Sequence, residues 1–285
     1  MKKEGLVFLG WNAYGDFLSY NGMVRFLLNY FDKVYIKADS RFLDYLNDLY
    51  NDVLDKVIFM SDFEIINFIE QNKNIAVLNL IQYVDFNESG ITSVVNSDKF
   101  GNISLKSIVS DKLYFNGDNK ISSFLNLDFE YTNSNLDYID NASNFYTNIG
   151  LNPDIRYKFF HYNRLINNEH NLYKELLIKN NISVDEDYIV VCETPDSRIK
   201  DDYKKIKHIN IDFCTNHPLQ LITLLENAKE INLIDNSNVL FVYYLYMSNL
   251  VKLENVTIHI YSRNRFEYYY KMFMNPKIEN WKIIF

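Results

Sequence analysis

LVFLGWNAYGDFLSYNGMVRFLLNYF, residues 6–31, decides the fold of this chain. Its first four residues, Leu6–Leu9, form a short apolar run ending at Gly10, which is typical of a buried strand. A turn from Trp11 to Gly15 follows, and after it apolar residues recur at helical spacing. The stretch therefore predicts a strand, a glycine-containing loop and a helix. In an open α/β sheet such a loop lies at the carboxyl end of its strand, where ligands bind.

The predicted helix carries two stripes of side chains. We expect the apolar stripe to face the core and the polar stripe to lie on another face. The apolar stripe consists of Tyr20, Val24, Leu27, Leu28 and Phe31, and the polar one of Asn21, Arg25, Asn29 and Asp32.

Asp16 stands where this helix begins. A carboxylate at that point is a common N-cap, which has no chemical role, but it can also point into the ligand crevice. The helix alone leaves both interpretations open.

Strand-like and helix-like segments alternate along both halves of the chain, which indicates two parallel, doubly wound sheets of the Rossmann type. In the first half we predict strands over residues 33–37, 56–60 and 74–80, and helices over 41–50 and 61–71. In the second half we predict strands over 187–192, 206–211, 230–234 and 256–261, and helices over 218–228, 239–250 and 265–274.

The alternation of strand-like and helix-like segments is interrupted near the middle of the chain. A helix is expected from Asn141 to Ile149, with Gly150 as its C-cap, and Pro153 then interrupts the chain. One long helix is predicted from Ile155 to Lys179. We therefore expect a first domain over residues 1–150, a helical connector over 151–184 and a second domain over 185–285.

Charge and composition argue against several classes of protein. The net charge of −8 argues against a nucleic-acid-binding protein, which normally has a basic face. No apolar run is long enough to span a bilayer, and the N-terminus lacks a signal-peptide core, so we expect a cytoplasmic protein without a transmembrane segment. Cys192 and Cys214 are expected to be buried, reduced thiols. No clustered Cys and His set predicts a metal site.

The first loop and helix carry a resemblance to a known family. Gly15-Asp16 resembles the Gly-Asp pair in the first loop of GT-B glycosyltransferases of the heptosyltransferase-like group. Asn21-Gly22-Met23-Val24-Arg25 is similar to the Asn-Gly-x-Val-Arg helix of phage, giant-virus and marine-bacterial relatives. Tyr14 departs from the pattern, because a smaller residue usually precedes the pair.

The second half adds to the resemblance. The loop after the strand at 230–234 resembles the donor-side loop of the same enzymes, although the histidine usually found near it is absent. The loop that begins at Glu193 resembles their polar, often arginine-bearing loop, and the segment from Gly150 to Arg164 resembles their interdomain connector. The donor-binding residues that the resemblance implies are Glu193, Thr194, Ser197, Arg198, Asp235, Asn236, Ser237 and Asn238.

For several of these residues an ordinary structural role is also open. Ser237 and Asn238 would equally serve as helix caps, and Arg198 would equally be a solvated surface charge.

The resemblance implies a GT-B fold, in which two Rossmann-like domains face each other across a cleft. It implies a glycosyltransferase that moves a sugar from a nucleotide-sugar donor to a glycan or other hydroxyl acceptor, in a bacterium or an infected cell. Asp16 would be the catalytic base, and Tyr14, Gly15, Asn21 and Arg25 would lie on the acceptor side. Neither a metal nor a cofactor is expected. Two alternatives stay open: a non-catalytic sugar- or nucleotide-binding protein, and a nucleotide-sugar epimerase.

Overall fold

The computed structural model describes residues 4–80, 112–115, 119–127, 141–193, 199, 206–211, 217–235, 237–261, 278 and 280–284. The chain forms two compact units, Met1–His161 and Tyr162–Phe285. Each unit contains one five-stranded sheet in which every described pair of neighbouring strands is parallel. The predicted α/β class with two doubly wound sheets is therefore confirmed.

The sheet of the first unit has the strand order β3-β2-β1-β4-β5. The central strand β1 is fully buried, because strands of a parallel sheet are covered on both faces. Leu6 of β1 lies opposite Val34 of β2 on one side and Ala76 of β4 on the other. The strands are β1 (Leu6–Leu9), β2 (Val34–Lys37), β3 (Val57–Met60), β4 (Ala76–Asn79) and β5 (Leu113–Phe115).

Six α-helices are described in the first unit, and a 3₁₀ turn at Ser40–Phe42 precedes the second of them. Ser61, the first residue of the predicted helix over 61–71, caps α3: its side chain and that of Glu64 form a reciprocal capping box. The helices are α1 (Tyr14–Leu27), α2 (Leu43–Leu49), α3 (Asp62–Gln71), α4 (Ile121–Phe124), α5 (Asn141–Thr147) and α6 (Ile155–Lys158).

One apolar side chain of α3 does not lie where its spacing predicts. Phe63 shares the predicted helix over 61–71 with Ile66 and Ile69, and an inward position with them would bury its ring, but it is 75% exposed. The buried face of α3 is formed by Ile65, Ile66 and Ile69, which pack against Val7 and Val77 of the sheet. Phe63 precedes this face by two residues, so it points to the other side of the helix.

Helix α1 is buried on more sides than its sequence predicts. Residues 17–24 are all buried, and the buried set includes Asn21 from the predicted polar stripe. Aromatic contacts show three neighbours: Tyr20 packs edge-on against Phe8 of β1 and Phe145 of α5, and Phe17 packs against Phe42. The helix is thus the centre of the first unit, whereas an amphipathic surface helix had been expected.

Gly22 allows α1 to approach α6 closely. A Cβ atom on Gly22 would lie 2.4 Å from the backbone oxygen of Arg156. On the same turn, the hydroxyl of Tyr146 accepts from Met23 N at 3.2 Å and donates to Ser19 O at 2.6 Å. These two backbone groups are i and i+4 partners of a helix, so the tyrosine hydroxyl joins α5 to the hydrogen-bond ladder of α1.

The sheet of the second unit has the order β10-β9-β8-β6-β7. Its edge strand β10 was not predicted, because only three residues of the C-terminal segment pair with β9. The strands are β6 (Ile189–Cys192), β7 (His208–Asn210), β8 (Glu230–Ile234), β9 (Val256–His259) and β10 (Lys282–Ile284). The predicted helix over 265–274 lies outside the described residues.

Three helices are described in the second unit: α7 (Ile166–Lys179), α8 (Ile222–Glu226) and α9 (Ser237–Met247). The 3₁₀ turn Pro218–Leu221 leads into α8, and its proline stands in the first turn, where the missing N–H costs nothing.

The single long helix predicted from Ile155 to Lys179 is wrong. The chain forms α6, then a non-helical stretch, then α7. The backbone N–H of His161 donates to the side chain of Asn21 at 2.9 Å, so it does not take a helical partner. Phe160 and Tyr162 on either side of His161 are buried, which holds this non-helical stretch in place.

Arg164 then anchors the start of the second unit. Its guanidinium binds the fully buried carboxylate of Glu169, with Nη2 to Oε2 at 2.6 Å, and also Glu226, with Nη2 to Oε2 at 2.8 Å. Thr223 also donates a hydrogen bond to Glu169, at 2.9 Å. The buried carboxylate is thus paired and hydrogen-bonded, as a charge in the interior must be, and the network fixes α7 to α8.

Four helices end in the same way. After α4, α5, α7 and α9, one residue takes a positive φ: Asn126, Gly150, Asn181 and Asn249. In each case the N–H of the next residue bonds the carbonyl five residues earlier, as Leu250 bonds Leu245. This is the Schellman motif, and it satisfies the last carbonyls of the helix. The predicted C-cap role of Gly150 is confirmed.

No helix in the described part of the chain combines the length and the apolar character that crossing a membrane requires.

The contact at Gly22 yields a stability prediction. We expect Gly22→Ala to lower the free energy of unfolding by about 2–3 kcal/mol, because the added methyl group meets backbone atoms of α6, which cannot rotate away. Urea unfolding followed by circular dichroism measures the change. In an exposed helix the same substitution would stabilise the protein by about 1 kcal/mol, and a gain of that kind would contradict the close approach.

Candidate active site

The strand order of the first sheet changes direction between β1 and β4. The chain proceeds from β1 through β2 to β3 on one side, and continues with β4 and β5 on the other. Ligands of open α/β sheets bind beyond the carboxyl ends of the strands at such a point. The loop from Gly10 to Ala13 follows β1 at this point, and Asn79 ends β4 beside it. The region predicted from the sequence is therefore the topological switch point of the first unit.

Asp16 lies in the first turn of α1, directly after this loop. The N-cap position is Ala13, so Asp16 is not the residue that caps the helix. No hydrogen bond or ion pair to the Asp16 carboxylate is found among the residues that the structure describes. Burial raises its pKa from 3.8 to about 6. A carboxylate with a pKa near 6 is ionised at neutral pH and is more basic than an ordinary aspartate.

Tyr14 and Gly15 precede Asp16 on the same turn. The Tyr14 ring packs edge-on against Phe42 and Tyr45, with centroid separations of 5.0 Å in both pairs. The carbonyl of Gly15 accepts from the Ser19 hydroxyl at 2.8 Å. These contacts hold the first turn of α1 against α2, so Asp16 is carried by a well-packed element.

Asn21 and Arg25 take part in the packing of the first unit. Asn21 is fully buried, and its Oδ1 binds the His161 backbone. Arg25 forms a two-pronged ion pair with Asp52, with Nη1 to Oδ2 at 3.0 Å and Nη2 to Oδ1 at 2.8 Å. It also donates to the carbonyl of Leu49. Arg25 therefore pairs with a carboxylate other than Asp16, as its distance along the helix predicts.

The ion pair with Arg25 lowers the pKa of Asp52. Burial by itself would raise the pKa, but the hydrogen bonds and positive charge of Arg25 outweigh it, and the pKa lies below its ordinary value. The Nε2 atom of His161 lies 3.8 Å from the same carboxylate. Asp52 thus joins α1 to the segment where the first unit ends.

Sequence reasoning missed Lys37, a nearly buried cation at the same sheet edge. Lys37 is the last residue of β2, and its Nζ lies 3.4 Å from the Asp62 carboxylate. Asn12 in the β1–α1 loop approaches it as well. In the amide orientation that satisfies both of its atoms, Asn12 accepts from Nζ at 3.1 Å and donates to the Lys37 carbonyl at 3.3 Å.

Two more polar groups lie at this edge. The Asn79 amide donates to the Tyr114 hydroxyl at 2.8 Å. The indole nitrogen of Trp11 is buried and has no hydrogen-bond acceptor among the described residues. The signal that could have identified Lys37 and Asn79 is simple: each is the polar residue that ends an otherwise apolar strand.

The second sheet has its own switch point, between β6 and β8. Glu193 follows β6 there, and its Oε1 accepts from the backbone N–H of Ile199 at 2.7 Å. The carboxylate thereby binds the backbone six residues further along the chain.

Asp235 and Asn238 lie beside this edge. Asp235 follows β8, is 7% exposed, and its backbone N–H donates to His259 O at 3.1 Å. The Asn238 amide donates to the sulfur of Cys192, the last residue of β6. The structure therefore brings Glu193, Asp235 and Asn238 to one sheet edge.

The remaining predicted donor residues are less fully described. Because α9 begins at Ser237, both Ser237 and Asn238 lie inside its first turn, and neither precedes it as an N-cap. The predicted site residues Thr194, Ser197, Arg198 and Asn236, and the predicted buried thiol Cys214, lie outside the described residues. The thiol of Cys192 is buried, as predicted.

A buried polar row on β8 and β9 was also missed. Nε2 of His259 lies 3.0 Å from Oδ1 of Asn232, and Asn232 in turn donates to Glu230 at 3.2 Å. Thr257 makes a further, longer contact with Glu230. His259 ends β9 next to Asp235, so a histidine does stand near the predicted donor loop, although on the neighbouring strand.

Within the described ranges, no three His, Cys, Asp or Glu side chains are grouped so that they could hold a metal ion.

No protein-family model matches this chain, and no curated protein matches it. Among solved structures, it is similar to the crystal structure of the glycosyl transferase family 9 from Veillonella parvula DSM 2008. The TM-score is 0.53 at 10% sequence identity, over 100% of this chain and 87% of the other. At this identity the likeness is one of fold, and it agrees with two parallel α/β sheets consistent with a GT-B fold. The resemblance to phage, giant-virus and marine-bacterial relatives stays a prediction.

The raised pKa of Asp16 predicts how stability depends on pH. Between about pH 4 and pH 6 the unfolded chain loses the Asp16 proton while the folded chain keeps it, so folding becomes less favourable as pH rises through this window. The shift from 3.8 to about 6 corresponds to about 3 kcal/mol.

We therefore expect Asp16→Asn to raise the free energy of unfolding by about 3 kcal/mol at pH 8 and by less than about 1 kcal/mol near pH 4. Urea unfolding at both pH values measures this. Asp44→Asn, at an exposed position in the first turn of α2, is the matched control and should show no such difference. Equal effects of Asp16→Asn at the two pH values would show that burial does not raise the pKa of this carboxyl.

Proposed function

We propose that the protein is a metal-independent glycosyltransferase that moves a sugar from a nucleotide-sugar donor to a hydroxyl acceptor. The acceptor is proposed to bind the first unit, and the donor the second. The observation that carries the proposal is the Asp16 carboxylate. It lies at the switch point of the first sheet, on a packed helix, and burial raises its pKa to about 6. The fold shared with a glycosyl transferase family 9 protein supports this choice of reaction.

In the proposed reaction Asp16 is the general base. Its carboxylate takes the proton from the acceptor hydroxyl as the acceptor oxygen forms a bond to the anomeric carbon of the donor sugar. The bond from that carbon to the diphosphate oxygen breaks, and the nucleoside diphosphate leaves with the electron pair. This displacement inverts the anomeric configuration, and the base need only lie within about 2.6–3.2 Å of the hydroxyl oxygen or one water away.

Other groups at the first switch point suit acceptor binding. Lys37 and the Trp11 indole nitrogen are hydrogen-bond donors, and Asn12 and Asn79 present amides at the same edge. A polyhydroxylated acceptor needs such a mixture of donors and acceptors around one basic carboxylate. We propose that these residues orient the acceptor and that Asn21 and Arg25 act indirectly, by fixing α1.

On the donor side, α9 begins at Ser237 and has eleven residues, so its first N–H groups and its dipole favour an anion. We propose that these amides and Arg198 stabilise the leaving diphosphate. Glu193 and Asp235 are poor partners for a phosphate because they carry negative charge. Carboxylates at this position suit ribose or sugar hydroxyls instead, and we assign them that role.

The test of the base is Asp16→Asn. We expect the transfer rate to fall by about 10²–10⁴-fold, because the amide has the size of the carboxylate but cannot accept the proton. A thermal-shift screen first finds the nucleotide sugar that binds, and release of its nucleoside diphosphate in the presence of acceptors then reports turnover. In the parent protein the rate should rise with pH through about 6 and then level off, as Asp16 ionises.

Asp44→Asn serves again as the matched control and should have parental turnover. Asp16→Asn should bind the donor as the parent does, because the donor is assigned to the other unit. Parental turnover by Asp16→Asn would exclude Asp16 as the base. If the parent binds a nucleotide sugar and turns over none with any acceptor, the non-catalytic binding protein becomes the better interpretation.

The donor assignment is tested separately by Ser237→Asp. A second negative charge at the start of α9 should weaken binding of the diphosphate by at least about fivefold. Calorimetric titration with the nucleotide found in the screen measures the affinity. Ser183→Asp makes the same charge change at an exposed position of the second unit and should leave the affinity unchanged. If both variants bind as tightly as the parent, the diphosphate lies elsewhere.

A further inference from the structure

A groove of about 480 Å³ opens at the amino edge of the second sheet. The loops that precede β9 and β10 form part of its wall, whereas Glu193 and Asp235 lie at the carboxyl edge. The groove therefore differs from the site proposed for the donor, and its size is within the range of small-molecule pockets. Its lining consists of Tyr246, Met247, Asn249, Val251, Lys252, Leu253, Glu254 and Asn280.

The groove is held in shape by ordered structure on three sides. Asn249, with a φ of 55°, ends α9 in its Schellman motif. Trp281 lies behind the wall: its ring centroid is 5.2 Å from that of Tyr246, and its Nε1 donates to Leu253 O at 3.4 Å. Leu253 is buried, whereas Lys252 and Glu254 on either side of it are exposed. A groove with such support is preformed, which lowers the cost of ordering it on binding.

The chemistry of the lining favours an uncharged, hydroxyl-rich ligand. Lys252 and Glu254 contribute opposite charges, so the groove has no net charge. The adjacent C-terminus of α9 has a partial negative charge, which disfavours an anion. Asn249, Asn280, Lys252 and Glu254 supply both donors and acceptors, as paired hydroxyl groups require. Tyr246 supplies an aromatic surface and Val251 an aliphatic one for the C–H faces of a sugar ring.

We propose that this groove is a second saccharide-binding site, which holds a neutral sugar unit away from the carboxyl edge where transfer is proposed. The inference rests on the lining of the groove and does not require that Asp16 be a catalytic base.

The test is a titration with neutral disaccharides, namely maltose, cellobiose, lactose and mannobiose, without any nucleotide. Saturation-transfer NMR detects binding, and dose dependence gives the affinity. At least one disaccharide should bind the parent. The double variant Glu254→Ala/Asn280→Ala should bind it about tenfold more weakly, because it loses one or two hydrogen bonds. Both residues are exposed, so the melting temperature should stay parental.

Two further variants test whether a loss of disaccharide binding is specific to the groove. Asn249→Gly preserves the positive φ that ends α9 but removes the amide, so it should also weaken binding without unfolding the helix end. Glu70→Ala/Asn72→Ala, at the end of α3 in the first unit, is the matched control and should bind as the parent does.

Titrations with sodium phosphate, an anion, and with spermidine, a cation, test whether the groove binds a charged ligand instead. Binding of either in place of the disaccharides overturns the proposal, as does binding of none of the four disaccharides. Disaccharide binding that survives both groove variants places the sugar elsewhere and also overturns it. Asp16→Asn should bind the disaccharide like the parent, so a failed transfer experiment and a failed groove experiment are distinguishable.

Discussion

The burial of helix α1 is the constraint on which the first unit depends. A helix that is enclosed on several sides cannot leave its polar groups to water, so every one of them needs a partner or costs about 1–3 kcal/mol. Asn21 therefore binds the His161 backbone, Arg25 binds Asp52, and the Tyr146 hydroxyl joins Ser19 and Met23. These partners come from three distant parts of the chain. The polar residues of α1 thus bring α5, α2 and the end of the unit to defined positions around one helix.

The same enclosure creates the chemistry proposed for Asp16. The first turn of α1 is packed against the start of α2 through Tyr14 and Phe17, and burial at this turn raises the pKa of the Asp16 carboxyl. Because Arg25 is already paired with Asp52, its charge is directed away from Asp16. The carboxylate thus loses solvation without gaining a cation, which is the combination that raises a pKa. Burial of the Asp16 carboxylate thus lowers the free energy of unfolding at neutral pH and makes the carboxylate more basic, a combination that is common at functional sites.

Local sequence patterns predict most of the strands and helices, but they predict few of the contacts at the candidate site. Apolar runs such as Leu6–Leu9 and caps such as Ser61 act over a few residues, and the structure confirms them. The break at residues 159–165 depends on Asn21, which is 140 residues from His161, and no local pattern records such a contact. Asn21 and Arg25 were predicted to lie on the acceptor side because the motif they belong to resembles the first helix of glycosyltransferase relatives. Lys37 was missed because a single lysine at a strand end does not alter an apolar pattern.

The asparagines with positive φ have a consequence for how such a chain evolves. Helix ends in the left-handed region usually favour glycine, but this chain has only 8 glycines and uses Asn126, Asn181 and Asn249 for the same turn as Gly150. Asparagine tolerates this conformation, and it restricts the unfolded chain more than glycine does. A genome that drifts toward asparagine and away from glycine can therefore keep its tight turns. In this chain the ends of three helices thus keep the left-handed turn without glycine.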